Sequence, residues 1–122
     1  MYGQNKADAV AGSAFVTVGI AALASAGQRY CVCPIDGKLF GATFMVTTAT
    51  TSATTAITFK DGAGDTIGTG SIPVTAVNGG VIVARDLDSD SDATLKVGDV
   101  VEVEFDGAAA AGAGDLVVQF IQ

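Results

Sequence analysis

Three groups of residues in this chain have types and spacing that could do chemistry. The first is Asp88-Ser89-Asp90-Ser91-Asp92. Alternating carboxylates supply the hard oxygens that calcium takes, and Asp99 falls at the twelfth position counted from Asp88. The helix–loop–helix calcium motif also needs Gly at its sixth position and a bidentate Glu at its twelfth. Here those positions hold Ala93 and Asp99. Asp88, Asp90 and Asp92 therefore stand as a weak calcium candidate, against the plainer reading of a solvated acidic loop that keeps a sheet edge from aggregating. The second group is Glu102 and Glu104, one pleat apart. Paired carboxylates hydrolyse glycosides when they flank a bond, but neighbours on one strand face are ordinarily a wetted surface. The third is Cys31 and Cys33. In a strand, i and i+2 point the same way, and a bridge between them would be strained. The chain has no His and no further Cys, so a zinc set cannot be completed. The two thiols read as small buried apolar groups.

Beyond these, chemistry runs out. Without His there is no Ser-His or Cys-His arrangement. The strings Gly62-Ala63-Gly64 and Gly68-Thr69-Gly70 lack the Lys and following helix of a phosphate loop, and read as turns. No catalytic residue, cofactor or firm metal site is expected, and the chain reads as a binding or structural module.

The elements that would position these residues are strands. Val (15) outnumbers Leu (5) and Thr is abundant (13), which favours the pleat because β-branched side chains lose rotamer freedom in a helix. Residues 97–106 alternate strictly: Val101, Val103 and Phe105 on one face, Glu102, Glu104 and Asp106 on the other. Leu116, Val118 and Phe120 repeat the pattern. The expectation is a hairpin of these two strands across a small loop at 107–115, closing one edge of the core. Further strands are expected at 14–20, 28–35, 38–48, 56–60, 66–71 and 81–84. In the strand at 38–48, Phe40, Ala42 and Phe44 share a side, with Leu39, Thr43 and Met45 opposite. The stretch 21–26 reads as a strand end or one helical turn, 47–55 as a Thr/Ala/Ser loop and 86–92 as the acidic loop. Turn signals stand at Asp36-Gly37, 61–65 and Asn78-Gly79-Gly80.

About eight short strands at roughly ten-residue spacing suggest an all-β, antiparallel sandwich or jelly-roll-like domain. It would occupy 14–122, behind an N-terminal arm at 1–13. A chain of 122 residues is most simply one domain. Its net charge of −7, with six Lys and Arg, disfavours nucleic acid and anionic membrane surfaces as partners. No apolar run approaches a transmembrane length. The apolar stretch 15–23, followed by Ala24-Ser25-Ala26, resembles a signal peptide only poorly, since Lys6 is balanced by Asp8 and Thr17 and Gly19 interrupt the run.

One absence is informative. No charged residue occurs from Ala9 to Gln28, nor from Leu39 to Phe59. Solvated strand faces ordinarily carry charges. Such neutral walls are expected to be covered by copies of the chain or by a partner.

The run Gln28 to Pro34, then Asp36-Gly37-Lys38, a Thr/Ala-rich hairpin, and Lys96-Val97-Gly98-Asp99-Val100-Val101 leading into a Gly-rich loop and last strand resembles the small head decoration (cement) proteins of tailed bacteriophages. The resemblance spans most of residues 28–122, through hairpin and turn motifs that fibre and tail modules share. It implies a jelly-roll-like domain on the outer capsid of the virion, made in the host cytoplasm. Its partners would be the major capsid protein and itself, as a homotrimer or homodimer, with the shell clamped against internal pressure. The alternative is a β-sandwich carbohydrate- or receptor-binding module of a fibre, tail or cell-surface protein. Exposed aromatics would favour that rival, and the chain has no Trp and only Tyr2 and Tyr30.

Overall fold

The computed structural model describes residues 12–74, 81–85, 88–89 and 93–122, the segments 81–85 and 88–89 by their backbone alone. Nine strands form: β1 (Ser13–Ile20), β2 (Gly27–Val32), β3 (Lys38–Thr51), β4 (Thr55–Lys60), β5 (Thr66–Ile72), β6 (Val81–Arg85), β7 (Asp88–Ser89), β8 (Val100–Phe105) and β9 (Ala111–Ile121). Seven have six residues or more, against the expected eight or so. No described residue is helical, and 21–26 is a series of bends.

The strands make two antiparallel sheets, ordered β1-β9-β3-β6 and β2-β8-β4-β5-β7. Pairing β1 with β9, β2 with β8, β3 with β6 and β4 with β5 is the connectivity of a jelly roll, a long hairpin wrapped so that successive strands cross between sheets. Between the sheets lies one apolar core. Val18, Ile20, Leu39, Phe44, Val46, Leu116, Val118 and Phe120 come from the first sheet; Ile57, Phe59, Ile67, Ile72, Val101, Val103 and Phe105 come from the second. The apolar stretch at 15–23 is part of this packing, with Val18, Ile20 and Leu23 all buried.

The hairpin expected of the last two strands does not form. β8 lies between β2 and β4, and β9 lies between β1 and β3 in the opposite sheet, so both are central. Alternation fixes which face of a strand is buried, but not which strand lies beside it. Residues 106–110 carry the chain over the end of the sandwich: Asp106 N–H donates to Ala56 O, Ala110 N–H donates to Thr51 O, and Ala109 is buried. Gly107 makes the crossing possible. Its φ is +73°, and a Cβ there would fall on the backbone nitrogen of Ala26. At Gly114 on β9, a Cβ would strike Met45 O and come within 2.8 Å of Phe44 Cζ. Glycine there lets β3 and a core ring close on the central strand.

Two further expectations are corrected. The loop at 47–55 is mostly strand, because β3 continues to Thr51 along β9 through register shifts at Val46/Thr48 and Thr48/Thr51. Within the acidic loop, Asp88 and Ser89 form β7, which pairs with Thr69 and Gly68 at the edge of the second sheet. The Asn78-Gly79-Gly80 turn lies outside the described residues. The turn at 61–65 forms as read, with Asp61 Oδ1 accepting from the N–H groups of Ala63 and Asp65 at 3.0 and 2.9 Å.

Thr50 and Thr55 are the buried polar residues among those described. Thr50 Oγ1 donates to Pro73 O at 2.7 Å, whereas Thr55 Oγ1 has no partner among the described residues. A buried, unpaired hydroxyl costs its desolvation with no return. Thr55→Val keeps the shape and is expected to raise stability by about 1 kcal/mol, read as a higher urea midpoint with an unchanged slope.

Candidate functional site

The two outer faces of the sandwich differ in chemistry. On the second sheet, β2, β8 and β4 present charged and polar side chains, with Tyr30, Val32 and Val100 exposed at one end of the same face. Register places Gln28, Glu104 and Thr58 in one row and Tyr30, Glu102 and Lys60 in the next. Lys60 Nζ lies 3.1 Å from Glu104 Oε1. The hydrogen bond from Lys60, and then one from Glu102, hold the Glu104 carboxyl below its ordinary range. Desolvation against the sheet, then the hydrogen bond and charge of Glu104, push Glu102 upward. The signs oppose in the linkage. Glu102 favours the fold at low pH and loses that contribution as pH rises through its raised pKa. Glu104 favours it at higher pH and loses that contribution as pH falls through its lowered one. On acidification Glu102 is expected to take its proton before Glu104, and Lys60→Met to narrow the gap, as followed by side-chain carboxyl carbon shifts in an NMR titration. The glutamates thus share a face, as expected, and form an ion-paired surface rather than two carboxylates flanking a cleft. The depression beside them, about 350 Å³, is open to solvent, and its polar lining is Gln28, Thr58, Glu104 and Asp106.

The outer face of the first sheet is different. It is built on β9, whose Leu116, Val118 and Phe120 point into the core, leaving Asp115, Val117, Gln119 and Ile121 outward. Register sets three flanked rows across β1, β9 and β3: Phe15, Gln119 and Gly41; Thr17, Val117 and Thr43; Gly19, Asp115 and Met45. Ser13, Ile121 and Lys38 close one end. The uncharged stretch 9–28 supplies β1, and 39–59 supplies β3 beyond Lys38 and then most of β4 in the other sheet; β1 and β3 lie on either side of β9. Phe15 is 62% exposed and Phe40 is 54% exposed. Among the described residues of this face the charges are Lys38 at one end and Asp115 in the row of Gly19 and Met45, its carboxylate leaning over Gly19.

Phe40 was expected on the side of Ala42 and Phe44. The register shift between Leu39 and Gly41 inserts one residue against β9 and reverses the parity of everything before it. Leu39 is therefore buried and Phe40 exposed. The signal available in the sequence was Gly41, since a glycine inside a strand pattern marks a bulge.

The remaining candidates are placed as follows. The Asp88 backbone lies in β7, and Asp90 and Asp92 are outside the described residues. Among the described residues no group of three or more His, Cys, Asp or Glu could hold a metal ion. Asp99 is spent on its own turn, its Oδ2 accepting from Lys96 N–H at 2.9 Å. Cys31 and Cys33 are free thiols in the core, as read. Burial pushes Cys31 up to about 11 and raises Cys33, whose Sγ–H donates to Ile35 O at 3.1 Å. Thiols held protonated in this way are poor nucleophiles and poor metal ligands.

Three of the motifs quoted for the resemblance, 28–34, 36–38 and 96–101, meet at one end of the sandwich. Asp36 Oδ1 accepts from Val97 N–H at 2.8 Å, Gly98 N–H donates to Cys33 O, and Cys33 N–H donates to Asp99 O. Gly37 and Leu95 exchange two hydrogen bonds. No protein-family model matches this chain, and no curated protein matches its sequence.

Proposed function

We propose that this chain is a non-enzymatic virion structural protein that binds the outer surface of a phage capsid lattice and stabilises it, seated through the outer face of the β1-β9-β3 sheet. The observation that carries the reading is that face: Phe15, Phe40 and Val117 exposed or outward among Thr, Ser, Gly and Gln, with Lys38 and Asp115 as its charges, where the opposite face holds Glu102, Glu104 and Lys60. Exposed apolar patches of this kind mark interaction sites. The hairpin and turn motifs that resemble those of decoration proteins are what suggest the capsid as the partner.

The mechanism is mass action. A protein that binds the assembled lattice and not its separated subunits stabilises the lattice by RT ln(1 + [L]/Kd) per site, about 2.7 kcal/mol at a hundredfold excess over Kd. The test is to mix the purified chain with undecorated heads and pellet them. Saturable co-sedimentation and a raised melting temperature of the heads are expected; a chain that stays in the supernatant ends the reading. One observation favours the carbohydrate-binding alternative. Tyr30 is 62% exposed beside Glu102 and Gln28, a ring on which a sugar could stack. Glycan binding lost in Tyr30→Ala would select it.

A further inference from the structure

We infer that the free edge of β1 pairs with β1 of a second copy about a two-fold axis at Phe15, joining two four-stranded sheets into one of eight strands. The inference rests on the expectation, drawn from the uncharged stretches, that the chain associates with itself, and adds which edge is used and with what symmetry. Gly12 O accepts a hydrogen bond from Gln122 N–H at 2.9 Å, continuing the β1–β9 ladder. Backbone groups alternate sides along a strand, so Ala14, Val16, Val18 and Ile20 face β9, while Ser13, Phe15, Thr17 and Gly19 face away from it. A second contact agrees: Gly19 O accepts from Arg29 Nε at 3.3 Å, from the opposite sheet. That bond covers the Gly19 end. Ser13, Phe15 and Thr17 are left with outward N–H and C=O groups that no described residue meets.

The other edges are guarded and this one is not. Each sheet has two edge strands, and β2, β6 and β7 carry Arg29, Arg85 and Asp88. β1 has no charge and no proline, and its eight pairs with β9 contain no register shift. Long, flat, uncharged edges pair with other strands, which is why charges and bulges usually block them. The open stretch also complements itself. With a two-fold at Phe15, Phe15 faces its own copy and Ser13 faces Thr17 of the second copy. About six hydrogen bonds form, two for each facing pair. The pairing stops short of Gly19, so Arg29 keeps its bond. It also sets two exposed Phe15 rings side by side on the outer face and makes one continuous apolar platform of two.

The test uses the whole chain. Light scattering of the wild type is expected to approach twice 12.1 kDa as concentration rises. Thr17→Pro removes one N–H directed at the second copy and leaves the Val16 and Val18 bonds to β9 in place. It is expected to stay monomeric with an unchanged far-ultraviolet circular dichroism spectrum. Because that variant could fail to fold, Phe15→Cys gives an independent readout. Facing Cα atoms about 5.5 Å apart in a hydrogen-bonded pair fall within disulfide reach, so mild oxidation should yield a covalent dimer on a non-reducing gel. A wild type that is monomeric or trimeric at every concentration overturns the inference, as does a folded Thr17→Pro dimer or a Phe15→Cys chain that does not cross-link. Pelleting the monomeric Thr17→Pro chain with heads examines the shell reading separately, so failure of one does not imply failure of the other.

Discussion

Replacing Phe44 with alanine is expected to lower the free energy of unfolding by about 3–5 kcal/mol, while the same change at Phe40, four residues earlier on the same strand, is expected to cost under about 1 kcal/mol. Phe44 is fully buried, and the tip of its ring lies 2.8 Å from where a Cβ on Gly114 would sit. Alanine leaves a void beside β9, which is hydrogen-bonded on both sides and has little freedom to collapse into it. Phe40 projects into solvent from the bulge, so truncation gives up little packing. Against a domain stability of roughly 5–15 kcal/mol, the Phe44 loss is a large share of the total. It should appear as a fall of roughly 10–20 °C in melting temperature and a lower urea midpoint, with Phe40→Ala close to wild type. Equal losses at the two positions would mean that the bulge is absent and both rings face the core.

That pair of phenylalanines also marks where the sequence stops being readable. Strand content followed from Val and Thr abundance and from period-two alternation, and the buried faces of β8 and β9 were legible residue by residue. Partner choice was not. A wrapped hairpin pairs β1 with β9 across almost the whole chain, and no local pattern encodes a pairing at that separation. Residues 107–115 looked like a hairpin loop because Gly and Ala suit both a tight turn and a crossing between sheets. Beyond Thr48 the run of Ala, Thr and Ser lacks apolar alternation, yet pairing with β9 holds β3 in a strand to Thr51. The candidate site was half legible. The missing charges could be counted along the chain, but that both neutral runs flank β9 on one face is a fact of topology, and Phe15 and Phe40 became candidates only once that face existed.

A lysine at Val117, in the middle of that face, is expected to leave the fold standing and to remove binding to undecorated heads. Val117 lies outward in the row Thr17, Val117 and Thr43, away from the core. A long side chain there can extend into water, and the loss of β propensity in a central strand costs at most about 1 kcal/mol. Against a docked shell the ammonium would have to be desolvated together with Asp115, the carboxylate one row along β9 that lies nearest to it. Charge forced into a buried interface in this way costs about 2–5 kcal/mol, roughly 30- to several-thousand-fold in affinity. Thr58→Lys on the charged outer face of the second sheet provides the matching control: it adds the same charge to a wetted surface already holding Glu104 and Lys60, and should pellet with heads as the wild type does. Full occupancy by Val117→Lys would show that the apolar face is not what meets the shell. Loss of binding by Thr58→Lys, with Val117→Lys unaffected, would move the contact to the opposite sheet, where Tyr30 stands.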